Sequence, residues 1–314
     1  MYKVGILMDK IESVNFNSDS TISIIKSLQN KSEVKLILPE SLHKASNNIY
    51  ATVCNVRIGT LKKNEYAIEK KYKINLNKLD CIFFRKDPPI NQEYITLLQM
   101  LKELEFQDTL ILNAPSALLS FNEKILGYNL SEPKIPTVIG NDYKEIKKLL
   151  EKYKEIVLKP LNLMAGKGII KIKNKKESSI IIKEYLKKYK VAVAQKYLKA
   201  IKNGDNRIII YNGIVEKKIL TRYPPEDDFR ANIAFGGEYK VNEIKKEYIP
   251  LIDKIAAFLK YHGIFFAGVD MIGQYVTEIN ITSPTGIQQI GNGLSMKIAN
   301  QLLKKIDSHH MSCK

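Results

Sequence analysis

Two apolar runs near the C-terminus, FFAGVDMIG and YVTEINIT, are separated by a short turn, and each run carries one acidic residue. Pairing across a hairpin centred on Gln274 sets Asp270 directly opposite Glu278, and Asn280 shares the face of Glu278 because strand side chains alternate. Two facing carboxylates repel each other unless a cation lies between them, and carboxylate and amide oxygens suit Mg²⁺. The pattern therefore predicts a β-hairpin that carries a magnesium-nucleotide site, with a pair of acids on a solvated hairpin face as the alternative.

The length and composition predict a globular protein of two or three domains. The chain has 314 residues, 45% of them apolar, and no apolar stretch approaches the ~18 residues that span a bilayer. The N-terminus lacks the pattern of a secretory signal, so a cytoplasmic location is expected. Cys54, Cys81 and Cys313 are widely spaced, which favours free or buried thiols over a disulfide framework or a zinc site.

The net charge of +17 raises the question of nucleic-acid binding. Only five of the 50 basic residues are arginine, and the lysines are spread over the whole length rather than clustered. Arginine is the residue that reads phosphates and base edges with two parallel hydrogen bonds. The distribution therefore indicates a bias in composition, and no nucleic-acid partner is expected. Each arginine kept in such a chain becomes a candidate for a specific role.

The first part of the chain has the pattern of a doubly wound α/β domain. Apolar runs alternate with amphipathic helices, short alternating segments occupy 49–75, and Arg85 leaves the end of a buried strand, where ligands bind in such sheets. The predicted strands are 3–8, 33–38, 80–85 and 109–113, and the predicted helices are 20–30 and 92–106. The segment 128–141 contains two prolines and several turn formers, which predicts a connection without regular structure.

The remainder alternates helices and strands. A glycine turn around Gly166 and Gly168 joins two strands and is not a Walker loop, which would lead into a helix. Such a turn can cover phosphates with its N–H groups, with Lys159 as a nearby charge, or it can be a plain hairpin. The polar segment 222–238 has the composition of a mobile flap. The predicted strands are 155–160, 169–172, 190–197, 207–211 and 214–221, and the predicted helices are 142–153, 177–188, 244–262 and 293–306.

These pieces, in this order, resemble the bacterial glutathione synthetases of the ATP-grasp superfamily over nearly the whole chain. The runs that carry the resemblance are RKDPP (85–89), NEK (122–124), VLKPL (157–161), AQKYLKAIKNGDNR (194–207), RANIAFGG (230–237) and GVDMIGQYVTEINITSPTGI (268–287). The resemblance implies an ATP-grasp fold of mixed α/β and α+β type with an N-terminal doubly wound α/β domain. It also implies an N-terminal substrate-binding domain (1–120), a lid subdomain (121–200), a catalytic subdomain (201–314) and a homotetramer.

The family joins γ-glutamylcysteine to glycine at the expense of ATP through an acyl phosphate, so the resemblance implies ATP and Mg²⁺, with Mn²⁺ as an alternative ion. Two lysines would contact the phosphates beneath the glycine loop, and an aspartate would lie near the ribose. The backbone of an interdomain strand, at a glutamine, a tyrosine and a leucine, would receive the adenine. The implied ATP-binding residues are Lys124, Lys159, Gly166, Gly168, Gln195, Tyr197, Leu198 and Asp205.

Other roles also follow from the resemblance. Arg207 would act beside the phosphates, and Arg230 and Asn232 would belong to a flap that closes on the reacting groups and keeps water from the acyl phosphate. Arg85 would contact a substrate carboxylate, and two hydroxyls would bind the dipeptide. The implied substrate hydroxyls are those of Ser283 and Thr285, and the implied metal ligands are Asp270, Glu278 and Asn280, the three that the hairpin pattern selects.

The chain also departs from the family pattern. The usual glycine loop reads DGMGG, whereas Leu163 and Ala165 stand here, and neither residue takes a positive φ at low cost. The loop is therefore expected to follow another backbone path or to cover phosphate less closely, with Gly168 as a compensating residue. Gln288 replaces a basic residue, which favours a related ATP-grasp ligase with another acceptor, and the altered loop favours an ATP-binding protein without turnover. Both alternatives stay open at this point.

Overall fold

The computed structural model describes residues 1–106, 108–231 and 237–312. In these ranges three β-sheets follow one another in sequence, and helices cover their faces. Within the described residues, no helix is long and apolar enough to cross a membrane. Cys54 and Cys81 are buried free thiols, as their spacing predicted, and Cys313 lies outside the described residues.

The N-terminal sheet is doubly wound in its central part. Four parallel strands, β1, β2, β7 and β8, stand in the order β2-β1-β7-β8, and antiparallel strands extend the sheet beyond β2. The strands are β1 (Tyr2–Leu7), β2 (Ser32–Ile37), β3 (His43–Ala45), β4 (Asn48–Ile58), β5 (Tyr66–Ile68), β6 (Tyr72–Asn75), β7 (Cys81–Phe84) and β8 (Leu110–Leu112). The helices of this part are α1 (Ser20–Leu28), α2 (Gln92–Lys102) and α3 (Pro115–Ser120).

Strand order in the N-terminal sheet reverses at β1, which pairs with β2 on one side and with β7 on the other. The carboxyl ends of β1 and β7 therefore meet at the switch point, where open α/β sheets bind ligands. Asp9 follows β1 and accepts a hydrogen bond from the backbone N–H of Asp87, which follows β7, at 2.9 Å. Lys86 forms an ion pair with the same Asp9 carboxylate.

The second sheet is antiparallel and has a core of its own. Its strands stand in the order β11-β10-β12-β9, and α5 and α6 cover one face. Apolar residues such as Ile156 and Leu158 point into that core, so Val157 and Lys159 project from the opposite face because side chains alternate. The elements are α4 (Glu123–Leu130), β9 (Thr137–Gly140), α5 (Tyr143–Tyr153), β10 (Glu155–Pro160), β11 (Ile170–Lys173), α6 (Ser178–Tyr189) and β12 (Ala192–Lys196).

The third sheet is also antiparallel, in the order β16-β15-β13-β17-β18 with β14 beside β13. Its two faces share apolar cores with the N-terminal sheet, whereas the second sheet stands on a separate core. The elements are β13 (Asp205–Tyr211), β14 (Ile214–Val215), β15 (Lys218–Tyr223), β16 (Glu238–Glu243), α7 (Ile249–Tyr261), β17 (Phe266–Ile272), β18 (Tyr275–Asn280), α8 (Ile287–Ile290) and α9 (Leu294–Ser312).

The predicted hairpin is present with the predicted pairing, since Asp270 stands opposite Glu278. The turn itself is tighter than expected, with Gly273 and Gln274 as its two central residues and Gly273 at a φ of 57°. Met271 pairs with Val276, so Thr277 is an extra residue that forms a β-bulge. The bulge restores the register that a turn centred on Gln274 would have produced.

Several elements differ from the predictions. The segment 128–141 is not a plain connection, because α4 extends into it and Thr137–Gly140 forms the edge strand β9. A prediction based on prolines and turn formers fails here because a four-residue edge strand needs little periodicity of its own and is held by pairing with β12. The short α3 and α8 and the exposed edge strand β16 were also not predicted, and the strand at 214–221 is divided into β14 and β15.

Candidate functional site

A cavity of about 330 Å³ lies between the second and third sheets. Side chains from both sheets line it, together with the glycine loop, the first part of the flap and the turn that follows β18. Most of the predicted site residues lie in its wall. Those residues are Lys159, Gly166, Gln195, Tyr197, Leu198, Asp205, Arg207, Arg230, Asp270, Glu278, Asn280, Ser283 and Thr285.

The floor of the cavity is a row of charged residues across three strands. Arg207 of β13 pairs with Asp270 of β17, which pairs in turn with Glu278 of β18. The guanidinium of Arg207 binds both carboxylate oxygens of Asp270, with Nε at 2.6 Å from Oδ1 and Nη2 at 2.7 Å from Oδ2. A bidentate pair of this kind fixes the orientation of both side chains.

A second arginine supports the same carboxylate. Nη2 of Arg222 lies 2.5 Å from Oδ2 of Asp205 and 3.0 Å from Oδ1 of Asp270. Burial alone would raise the pKa of Asp270, but Arg207 and Arg222 together hold that pKa well below its ordinary value. Asp270 therefore stays ionised throughout the physiological range.

Asp205 shows the opposite behaviour. Burial raises the pKa of Asp205 to about 6, with a smaller contribution from Asp270, although Arg222 and Arg207 act to lower it. Oδ1 of Asp205 is buried and has no hydrogen-bond partner among the described residues, and it belongs to a residue that lines the cavity. A buried acceptor without a partner carries a free-energy cost that a donor from a bound molecule can remove.

Helix α4 supports the other carboxylate of the row. Nζ of Lys124 lies 3.1 Å from Oε1 of Glu278 and donates to the carbonyl of Leu163 at 2.9 Å. One residue earlier, Glu123 accepts hydrogen bonds from the backbone N–H groups of Ile281 and Thr282 at 2.8 and 3.0 Å. Lys124 does not itself line the cavity, but it holds Glu278 and the start of the glycine loop together.

The opposite wall is the open face of the second sheet. Val157 pairs with Gln195, so both project from the face that also carries Lys159. Burial lowers the pKa of Lys159, while Glu278 raises it and Lys124 lowers it further. The wall is otherwise apolar near Tyr197 and Leu198, where β12 ends.

The glycine loop keeps a left-handed backbone in spite of its altered sequence. Ala165, Gly166 and Gly168 have φ values of 56°, 73° and 73°. The expectation that Ala165 avoids positive φ is therefore wrong, whereas Leu163 has no positive φ. Gly168 faces away from the cavity, because its carbonyl accepts from Tyr185 Oη at 2.9 Å and a Cβ there would lie 2.7 Å from Tyr189 Oη.

The flap meets the glycine loop directly. Nη1 of Arg230 donates to the carbonyl of Gly166 at 3.2 Å, and Asp228 binds the same guanidinium, with Oδ2 at 2.6 Å from Nη2. Asn232, the other flap residue selected from the sequence, lies outside the described residues.

The turn after β18 faces the N-terminal domain. Ser283 donates a hydrogen bond to Asp87, and both residues line the cavity. Arg85 lies behind this wall rather than in it, and its guanidinium donates to Thr21 Oγ1 at 3.1 Å and to the carbonyl of Pro284 at 2.9 Å. Burial lowers the pKa of Arg85 to about 10, although nearby Asp19 and Asp87 oppose that effect.

Gln288 also lies outside the cavity wall. Its Nε2 donates to the carbonyls of Phe16 and Asp19 at 2.8 and 2.6 Å, which fixes the loop before α1. Gln288, which stands in place of a basic residue, therefore joins the N-terminal domain to the segment after β18.

The donors on the cavity floor fit a hard divalent cation. Asp270 and Glu278 supply two facing carboxylates, and Asn280 adds an amide whose Nδ2 lies 3.1 Å from Oδ2 of Asp270. No group of three or more His, Cys, Asp or Glu side chains in the described ranges is arranged to hold a metal ion. A cation here would therefore complete its shell with ligand oxygens, which is the usual manner in which Mg²⁺ binds beside phosphates.

Several residues of the cavity wall were not given a role from the sequence, including four with charged or aromatic side chains. Glu123 lies within the NEK run, Arg222 is one of the five arginines, and Asp87 follows Arg85. The fourth is Phe229, in the flap. The rarity of arginine was a signal for Arg222, but its two carboxylate partners depend on strand pairing, which the sequence did not specify.

Two family models together match almost the whole chain. The family model of the prokaryotic glutathione synthetase N-terminal domain matches residues 2–118, and that of the prokaryotic glutathione synthetase ATP-grasp domain matches residues 123–294. Glutathione synthetase from Wigglesworthia glossinidia brevipalpis is 36% identical over 312 residues, with 98% of each chain covered. Glutathione synthetase from Vibrio parahaemolyticus is 31% identical over 310 residues, again with 98% of each chain covered.

Solved structures show the fold. D-cycloserine synthetase DcsG matches with a TM-score of 0.70 at 11% identity, covering 96% of this chain and 99% of that one. An ATP-grasp ligase from Chryseobacterium gregarium matches with a TM-score of 0.63 at 16% identity, covering 97% of each chain. The chain has the ATP-grasp fold, and at such low identity these two likenesses carry no further conclusion about activity.

Proposed function

Because this chain belongs to the prokaryotic glutathione synthetase family, we propose that it ligates γ-glutamylcysteine to glycine, converting ATP to ADP and phosphate and giving glutathione. The observation that carries the assignment to this cavity is the row formed by Arg207, Asp270 and Glu278. The row places a fixed guanidinium beside two carboxylates at the floor of a cavity between two sheets. Such a site can hold a nucleoside triphosphate and neutralise the negative charge as the terminal phosphoryl group is transferred.

The nucleotide is proposed to lie along the open face of the second sheet. The apolar wall near Tyr197 and Leu198 suits the base, and the backbone of that strand end supplies donors and acceptors for it. Oδ1 of Asp205 suits a ribose hydroxyl, since it is a buried acceptor without a partner among the described residues. Lys159 and the N–H groups near Gly166 are placed for the phosphates.

Magnesium is proposed to bind Asp270, Glu278 and Asn280. When bound, the ion would shield the charge of the phosphates and orient them. Lys124 and Arg207 hold the two carboxylates in position. We expect Glu278→Ala to abolish turnover, and activity close to that of the unaltered protein in saturating Mg²⁺ would contradict this assignment. Mn²⁺ has the same preference for oxygen ligands and is the alternative ion.

The reaction proceeds by acyl transfer. The terminal carboxylate of the dipeptide attacks the γ-phosphorus of ATP and ADP leaves, and the glycine amine then displaces phosphate from the acyl phosphate. Arg207 and Arg222 are fixed before the reaction starts, so they stabilise the negative charge with little rearrangement. The flap, held to the glycine loop through Arg230, excludes water that would hydrolyse the acyl phosphate.

The dipeptide is proposed to lie toward the N-terminal domain. Ser283, Thr285 and Asp87 line the end of the cavity that faces the switch point of the doubly wound sheet. Arg85 does not line the cavity, so we propose that it acts on the dipeptide by holding the carbonyls of the 282–284 turn, rather than through a direct contact.

Wider organisation is proposed from the family. The substrate-binding domain occupies 1–120, the lid subdomain 121–200 and the catalytic subdomain 201–314, and the chain assembles as a homotetramer in the cytoplasm. Its partners are small-molecule substrates, without nucleic acid or membrane. Light scattering of the purified protein tests the tetramer.

The test of the function is ADP release from Mg-ATP with γ-glutamylcysteine and glycine together, then with each omitted, and with the product identified by mass. Release that requires both substrates and yields glutathione supports the proposal. Release with a different amine would identify a ligase with another acceptor, and ATP binding without release would identify a binding protein that lacks the reaction.

A further inference from the structure

Phe229 is the aromatic residue by which the described part of the flap enters the nucleotide cavity. It is half-buried, lies between Asp228 and Arg230, and lines the cavity. Its ring centroid is 6.3 Å from that of Tyr197, with the two ring planes at 78°. Edge-to-face contacts of this kind are favourable beyond the area that they bury.

A lysine of the second sheet completes the contact. Nζ of Lys171 lies 4.3 Å from the ring centroid of Tyr197 and 5.9 Å from that of Phe229. Lys171 pairs with Val157, which pairs with Gln195, so all three project from the cavity face of the sheet. Phe229 therefore meets the wall of the cavity on the side where Tyr197 ends the apolar strand.

The position of Phe229 is not explained by the hydrophobic cores. The side chain is absent from the three apolar clusters that the described residues form, and its ring contacts lie on the other subdomain. Its neighbours in sequence attach the flap elsewhere, because Arg230 donates to the carbonyl of Gly166. The described part of the flap thus reaches the lid at a polar point, the glycine loop, and at an aromatic point, Tyr197.

We propose that Phe229 is a nucleotide-binding residue whose ring closes the base end of the cavity. The inference rests on the proposed function, since it requires a nucleotide in this cavity. The ligand class is a planar aromatic base joined to phosphates, because the aromatic contact lies at the apolar end and the charged row lies at the other. The ring adds apolar contact to a bound base and attaches the flap to the occupied lid.

The chain contains no tryptophan, so a single substitution can introduce a specific fluorescent probe. Phe229→Trp is titrated with Mg-ADP, which cannot be turned over. We expect a change in tryptophan emission that saturates, with a Kd within about twofold of the value measured by calorimetry for the unaltered protein. The matched control is Tyr261→Trp, at an 86% exposed aromatic position that does not line this cavity, and its emission should not respond.

Phe229→Ala supplies the energetic test. Loss of one aromatic contact should raise the Kd for Mg-ADP about fivefold by calorimetry. Phe229→Leu should have a Kd for Mg-ADP between that of the unaltered protein and that of Phe229→Ala. The Tm of both variants should stay within about a degree of that of the unaltered protein, because Phe229 lies outside the cores. Tyr261→Ala should leave the Kd unchanged.

The possible failures are distinguishable. If the unaltered protein binds Mg-ADP and releases it during turnover but Phe229→Ala has the same Kd, Phe229 is not a nucleotide contact and the proposed function stands. A Phe229→Trp emission that does not change at saturating Mg-ADP would exclude the contact in the same way. If the unaltered protein binds no nucleotide, the proposed function and this inference both fail.

Discussion

Gly127 of α4 packs against the backbone of Glu278 so closely that a Cβ at this position would lie 2.8 Å from Glu278 Cα and 3.0 Å from Glu278 N. This contact brings the first turn of α4 onto β18, so that Glu123 and Lys124 reach the residues that they hold. The position of a proposed metal ligand therefore depends on the absence of one methyl group in a neighbouring helix.

Gly127→Ala should consequently impair the enzyme. Alanine usually stabilises a helix interior by about 0.5–1 kcal/mol relative to glycine. Here the added methyl group meets backbone atoms that cannot rotate away, so we expect a loss of about 1–3 kcal/mol in the free energy of unfolding. We also expect a lower kcat for ADP release. Asn129→Ala, at an exposed position of the same helix, should change neither quantity, and a fully active, stable Gly127→Ala would contradict the interpretation.

The protein should be at least as stable with glycine as with alanine at position 165. The φ of 56° at Ala165 lies in the left-handed region, which costs an L-residue roughly 1–2 kcal/mol, and this cost exceeds the gain that alanine brings by stiffening the unfolded chain. We expect Ala165→Gly to be neutral or to add about 0.5 kcal/mol to the free energy of unfolding in urea. The same substitution at the exposed helical position Ala257 should lose about 1 kcal/mol. Equal losses at both positions would show that Ala165 carries no strain.

Arg207→Lys should lower kcat/KM by roughly 10- to 100-fold, although it preserves the charge. Lysine cannot reproduce the fork that binds both oxygens of Asp270 at 2.6 and 2.7 Å, and a hydrogen bond to a charged group is worth about 1.5–3 kcal/mol. The steady-state rate of ADP release measures the effect. Arg57→Lys, at an exposed arginine, is the control and should have unchanged kinetics. Unchanged kinetics for Arg207→Lys would mean that charge alone suffices.

Asp205 should make stability depend on pH. Its pKa is raised to about 6 in the native state, chiefly by burial, whereas an unfolded aspartate titrates near pH 4. Between these values the native state binds more protons than the unfolded state, so this residue makes stability fall as pH rises from about 4 to about 6. Below about pH 4 the titration of Asp205 does not lower the stability, and above about pH 6 the stability has fallen by the full amount.

Asp205→Asn removes that titration. The difference in free energy of unfolding between the variant and the unaltered protein should therefore change by up to about 3 kcal/mol from pH 4 to pH 7 in favour of the variant. Urea unfolding at a series of pH values measures it, and Asp227→Asn, at an exposed position, should show no such change. A difference that is constant with pH would place the native pKa of Asp205 near its ordinary value.

Most elements of the fold were predictable because their signal is local. The apolar run of β1, the alternation in the hairpin and the amphipathic helix α5 each lie within a dozen residues, and the structure confirms them. Elements whose stability comes from a distant partner were missed. Thr137–Gly140 forms a strand because it pairs with β12. The exposed segment Glu238–Glu243 forms a strand because it pairs with β15.

The sequence by itself predicted the pairing of Asp270 with Glu278, because the two strands are adjacent in the chain and their register is set locally. The observed turn is tighter than predicted, and the bulge at Thr277 restores the predicted register. The sequence also determined the family, through motifs in register over nearly the whole chain. Only the tertiary structure decided that Arg222 binds the carboxylate of Asp270 and that Arg85 lies behind the cavity wall. It also decided that α4 approaches β18 closely enough for Lys124 to meet Glu278. These contacts join residues 48 to 199 positions apart, and their distances depend on how separate sheets and helices pack.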